Sequence, residues 1–156
     1  RIMRLTANLT LAELTKSATA KRLGIKNEPT IEHLINLKST ALNIFQPLRN
    51  HFGHPIAVTS GYRSEALNKQ IKGSSKSQHT KGEAIDVDAH IFGGMTNLEI
   101  FLFIKDHLYF DQLIGEFPDK DGEFAWVHVS YIKENNRGDV LIAYKSEDNR
   151  TMYKKY

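Results

Sequence analysis

The stretch SQHTKGEAIDVD, residues 77–88, constrains this chain more than any other part of it. It sets His79 and Asp86 on either side of a glycine, Gly82, and runs directly into an apolar pattern. Ala84, Ile85, Asp86, Val87 and Asp88 read as a short buried strand, and Gly82 stands just before it, where the chain must turn sharply. Alternation puts Asp86 and Asp88 on one face and Ile85 and Val87 on the other. A carboxylate in such apolar company needs a partner, because an unpaired buried charge is expensive. A metal ion would supply one. Imidazole nitrogen and carboxylate oxygen are good donors to first-row metals, and His128, from the late stretch WVHVSY, is the third candidate ligand. Three protein ligands leave one position open, as a catalytic site requires.

A length of 156 residues suits one domain with a real hydrophobic core, so residues 1–156 are expected to form a single unit. Residues 1–8 and 150–156 are expected to be flexible or peripheral ends. The formal net charge of +3 favours an acidic polymer or an anionic wall as a neighbour and does not argue for nucleic acid. The basic tail with Arg150, Lys154 and Lys155 reads as a solvated terminus. There is no cysteine, which excludes disulfides, thiolate catalysis and cysteine–zinc sites together. No apolar run approaches the roughly 18 residues needed to cross a bilayer, and the opening RIMRLTANLT lacks the apolar core of a signal peptide. A monomer is the default expectation.

Taken in order, Thr10 and Glu13 make a capping box for a short helix, LAELTKS, and a second helical piece from Ala18 to Leu23 ends at Gly24. Pro29 and Thr30 introduce the longest amphipathic segment, with Ile31, Leu34, Ile35, Leu42, Phe45, Leu48 and Phe52 at helical spacing as a core stripe. Pro47 should bend or interrupt it, and Gly53 should stop it. A strand from Ile56 to Ser60 breaks at Gly61 and delivers Tyr62 and Arg63, a short helix SEALNKQI follows, and the polar loop KGSSKSQ feeds His79. After the Asp86 strand, Thr96 and Glu99 form another capping box for the helix LEIFLFIKDHL. QLIGEF and WVHVSY then read as a hairpin around the turn PDKDGE, and NNRGD turns into a last strand, VLIAYK. Helices first and consecutive, expectedly antiparallel, strands last make an α+β domain with helices packed on a mainly antiparallel sheet.

Within that hairpin Trp126, His128 and Ser130 share one face, and Gln112, Ile114 and Glu116 share a face of the partner strand. Pairing of those faces would set Glu116 beside His128. A carboxylate near a metal-held water is what peptide hydrolysis needs, since it can take the water's proton and return it to the leaving amine.

SGYRS, the run S-x-H-x-x-G-x-A-x-D from Ser77 to Asp86, and DQLI-x-E followed by WVHVSY together resemble the zinc peptidases of the D-alanyl-D-alanine carboxypeptidase and L-alanyl-D-glutamate endopeptidase group. The likeness is nearest to the small cell-wall-lysing, endolysin-like members of bacteria and their phages, and runs from about Leu9 to the final strand. It implies a hedgehog/DD-peptidase fold, Zn2+ held by His79, Asp86 and His128, and hydrolysis of a bond in peptidoglycan stem peptides or crosslinks. It implies further that Arg63 holds the substrate carbonyl oxygen and that Ser77 contacts substrate or supports a ligand. Action on the bacterial cell wall, periplasmic, extracellular or phage-delivered, would follow. In many members the acidic catalyst stands three residues before the last histidine, where this chain has Ala125. Glu116 is therefore the expected general base, with Glu123 in reserve, and a wall-peptide-binding module that keeps the metal without cutting is the alternative.

The remaining polar residues take plainer expectations. His33, His51, His54 and His107 read as solvated or capping side chains at helix ends, and His90 as a loop residue. Asp88 would either support a ligand histidine or be solvated. Trp126 is expected in the core rather than on a groove wall, and Tyr62 and Tyr131 stay undecided.

Overall fold

The computed structural model describes residues 2–156, and it is a mixed α+β structure. A small ribbon of β1 (Arg4–Thr6) and β2 (Leu9–Thr10) leads into α1 (Leu11–Thr15) and α2 (Ala18–Leu23). The Thr10–Glu13 capping box forms as its spacing predicts, and Gly24 closes α2 in the left-handed conformation.

The long amphipathic segment is a rod in three parts: α3 (Ile31–Thr40), a wide π turn (Ala41–Phe45) and α4 (Gln46–Phe52). Pro47 explains the middle part. Its ring would press on the carbonyl four residues back, and the preceding turn widens so that the Gln46 N–H donates to Ala41, five residues back. The buried stripe also differs from the expected one. Leu37, Ala41, Ile44, Phe45 and Leu48 face the core, whereas the expected core residues Ile31, Ile35 and Leu42 are exposed.

The main sheet has six strands: β3 (Ala57–Ser60), β4 (Ala84–Asp88), β5 (Gln112–Glu116), β6 (Trp126–Ser130), β7 (Asp139–Lys145) and β8 (Thr151–Lys155). Their spatial order is β3-β4-β6-β5-β7-β8. All neighbours are antiparallel except β5 and β7. The closing strands are therefore not a simple meander, as consecutive antiparallel strands would be: β7 passes over β6 and lies parallel beside β5. Among the described residues both ends carry regular elements, at the periphery of the fold. Leu5 in β1 is buried, and the basic tail is strand β8, paired along its length with β7.

Alternation gives the sheet two unlike faces. Ile85, Val87, Leu113, Val127 and Val129 join Ile100, Phe101 and Ile104 of α6 (Asn97–His107) and the π-turn rod in one core cluster. Asp86, Ile114, Glu116, Trp126 and His128 line a groove on the opposite face. That face is bordered by a short 3₁₀ turn, Gln78–Lys81, that carries His79, and α5 (Glu65–Gln70) reaches it through the bond of Asn68 to the groove residue Arg63. Among the described residues no helix is long and apolar enough to cross a membrane.

Gly82 ends that turn at φ 76°, and a Cβ there would stand 2.6 Å from the His33 carbonyl oxygen and 3.0 Å from Leu37 Cγ. Both backbone and packing exclude a side chain, so Gly82→Ala is expected to cost about 1–3 kcal/mol. Urea unfolding of the two proteins, read by circular dichroism, measures the loss.

Candidate metal centre and active-site groove

Two strands and a turn bring the candidate ligands together. Asp86 on β4 is the direct cross-strand partner of His128 on β6, so both side chains leave the sheet on the same face. His79 reaches them from the 3₁₀ turn, whose start is held by Ser77: the His79 N–H donates to Ser77 Oγ at 3.3 Å. Ser77 thus supports a candidate ligand, and it also lines the groove. One donor atom from each of His79, Asp86 and His128 lies within 4.8 Å of the others. His128 Nδ1 is 2.9 Å and His79 Nε2 3.3 Å from Asp86 Oδ1. Donors on a tetrahedral zinc ion stand about 3.3 Å apart.

His79 carries the clearest mark of a ligand. Its side chain is buried, Nδ1 is 2.7 Å from the Gly61 carbonyl oxygen, and Nε2 has no hydrogen-bond partner. A backbone carbonyl on one ring nitrogen fixes the proton there and turns the other lone pair outward. Burial holds the His79 pKa below its usual value, against the opposing pull of Asp86, and so favours the neutral ring a metal needs. Asp86 is pushed upward by burial, but the two imidazoles outweigh that and hold its carboxyl well below the usual range. The donor set and the orphaned nitrogen fit a divalent ion.

Arg63 follows Gly61 and Tyr62 at the end of β3. Asn27 secures that segment, donating from Nδ2 to the Thr15 and Tyr62 carbonyls and accepting from the Ser64 N–H. The Arg63 N–H donates to the His79 carbonyl, Nη1 to Asn68 Oδ1 at 3.1 Å, and Nε is buried without a partner. Burial works against its charge and Asp86 partly restores it. A guanidinium so placed is a fixed positive group on the groove wall, with Tyr62 buried behind it.

Glu116 pairs directly with Trp126 and is diagonal to His128 across the hairpin, on the same face. It is 8% exposed. Burial lifts its pKa from the ordinary 4.5 to about 7, with His128 pulling down and Asp86 pushing up.

Other polar residues stand elsewhere than expected. Glu123, the reserve base, is turned away from the groove: it accepts the Asn97 and Leu98 N–H groups at the start of α6 and pairs with His90 at 2.8 Å. Asp88 does not support a ligand histidine. Its Oδ1 accepts from the His90 N–H and Asn97 Nδ2, because the end of β4 meets α6 rather than the metal site. Trp126 lies on the groove wall, packed edge-on against Phe117, while Phe124 takes the core position against Phe101. Of the remaining histidines, His33 caps α3, His51 stacks on Phe103, and His54 contacts its neighbour's carbonyl. Asn27 and Asn97 gave no signal in sequence, since an asparagine that binds backbone looks like any loop residue. Asp111, in DQLI, and Arg137, in NNRGD, also line the groove and form a bidentate pair.

Two outcomes are expected of this geometry. Zinc at about 100 times its dissociation constant should stabilise the protein by about 2.7 kcal/mol, and Asp86→Ala should remove most of that gain; thermal unfolding with zinc and with chelator reads both. In the metal-free protein the raised pKa of Glu116 favours folding below pH 4.5, and that contribution is lost as the pH climbs through about 7. Glu116→Gln should abolish that slope, worth up to about 3 kcal/mol, in denaturant titrations across this range.

No curated protein matches the chain. A family model described as Peptidase M15 matches residues 7–130, a span that takes in Arg63, the three clustered candidate ligands and Glu116. With most of its length matched and a His-Asp-His cluster set in the groove, the chain belongs to the M15 family of zinc peptidases.

Proposed function

We propose that this protein is a zinc-dependent peptidase of the hedgehog/DD-peptidase fold, acting as one domain and a monomer on peptidoglycan stem peptides or crosslinks at the bacterial cell wall. His79, Asp86 and His128 would hold the zinc. When bound, it would supply Lewis acidity to a peptide carbonyl and lower the pKa of water.

The observation that carries the proposal is the place of Glu116, a buried carboxyl on the face and in the groove of the ligand cluster. Its carboxylate takes the proton of the attacking water and gives it to the leaving amine as the bond breaks. Arg63 is placed to hold the carbonyl oxygen as it gains charge, from a position fixed by Asn68 and the His79 backbone. The groove encloses about 490 Å3, enough for a short stretch of peptide.

Ala125 favours one other reading, a module that binds wall peptides and retains the metal without cutting, because the position three before His128 carries no acid. The two diverge on digestion of purified murein, followed by mass spectrometry of the fragments, which also names the bond. Wild type is expected to release new amino termini, and Glu116→Gln to be slower by about 100-fold or more. Glu123→Gln should keep its rate and instead lose about 1 kcal/mol of stability, through the start of α6. No release by zinc-loaded wild type would favour the binding module. Loss confined to Glu123→Gln would sink the role given to Glu116.

A further inference from the structure

The family match ends at Ser130, but the groove does not: Arg137 and Tyr153 line it as well. Tyr153 on β8 stands in one row with Ala143 on β7 and Glu116 on β5, so β8 adds a wall to the groove beyond the hairpin of β5 and β6. Arg137 stands just before β7, and its guanidinium is braced from behind. Nε and Nη2 donate to Asp111 Oδ1 and Oδ2 at 3.1 and 2.9 Å, and its own backbone N–H donates to Oδ1 at 3.0 Å. Asp111 is buried and also accepts from Gln78 Nε2 at 3.1 Å, next in sequence to the ligand His79. The brace therefore ties Arg137 to the turn that carries the metal ligand.

Arg137 Nη1 makes no hydrogen bond to another described residue, and the side chain is 57% exposed. Its rotamer is already fixed, so little ordering is left to oppose binding of a planar anion. Charge in the groove points the same way. Arg63, Lys76 and Arg137 line it, while Asp86 is committed to the imidazoles and Asp111 to Arg137, which leaves Glu116, beside the ligand cluster, as the one lining carboxyl without a cationic partner.

We propose that Arg137 is a specificity residue that binds a carboxylate of the substrate on the β7 side of the groove, an assignment that rests on the peptidase reading for the class of ligand. The carboxylate is either the free end of the peptide or an acidic side chain within it.

Trp126 is the single tryptophan and lines the groove, so its fluorescence reports binding. Zinc-loaded protein is titrated with two pairs of probes: acetyl-D-alanyl-D-alanine against its carboxamide, and acetyl-L-alanyl-D-glutamyl amide against its glutaminyl counterpart. The carboxylate is expected to bind about tenfold tighter in one pair, and that pair names its source. Arg137→Met should erase the preference and Arg137→Lys should reduce it. Equal binding within both pairs by wild type overturns the proposal, as does a full preference in Arg137→Met, which would assign it to the metal or to Arg63. Should Arg137→Met fail to fold, Arg137→Lys decides, since it keeps the charge and loses the fork; an undiminished preference there overturns the proposal too. Absence of murein cleavage would sink the hydrolase reading and leave these binding ratios standing.

Discussion

The carboxylate of Asp86 is the charge around which the rest of the structure is arranged. It projects from a strand whose alternate residues, Ile85 and Val87, are in the core, so the sheet that buries them also carries the aspartate to the opposite face. Two imidazoles meet it there, one from the neighbouring strand and one from a turn over the sheet. Without them a partly buried anion would be costly. With them it becomes a donor set whose members are mutually oriented before any ion arrives.

Orientation comes from backbone as much as from side chains. The Gly61 carbonyl fixes one nitrogen of His79, and the same short segment supplies Arg63, whose N–H returns to the His79 carbonyl. Gly61 has no room for a side chain, since a Cβ would stand 2.4 Å from the Leu14 carbonyl oxygen. The end of β3 is thus clamped between α1 and the ligand turn. Glu116 and Glu123 show how surroundings divide the labour of like groups. Burial without a hydrogen-bond partner raises the first, whereas three donors outweigh burial and lower the second. One is suited to move protons and the other to hold a helix.

Much of this was legible in sequence because it rests on short-range rules. The spacing from Ser77 to Asp86, the capping boxes at Thr10 and Thr96, and the alternation in WVHVSY each encode local geometry that tertiary contacts leave intact. Pairing order was not legible. Nothing in VLIAYK says that it passes over its sequence neighbour to lie parallel beside β5, and a tail as polar as TMYKK becomes a strand only because β7 offers it an edge. Trp126 failed for a related reason: a large aromatic in a strand fits either face, and Phe124 had already taken the core. In the long helix two rows share the helical period, and periodicity alone does not tell the exposed one of Ile31, Ile35 and Leu42 from the buried one of Leu37, Ala41, Ile44 and Leu48.

The two borders of the sheet are unlike the middle. At one end β3 is only four residues long, and at the other β8 carries Lys154 and Lys155, the latter paired with Asp139. A short border and a cationic one offer little template for a further strand. Self-stacking into fibres is thereby discouraged by the same terminal segment that adds a wall to the groove.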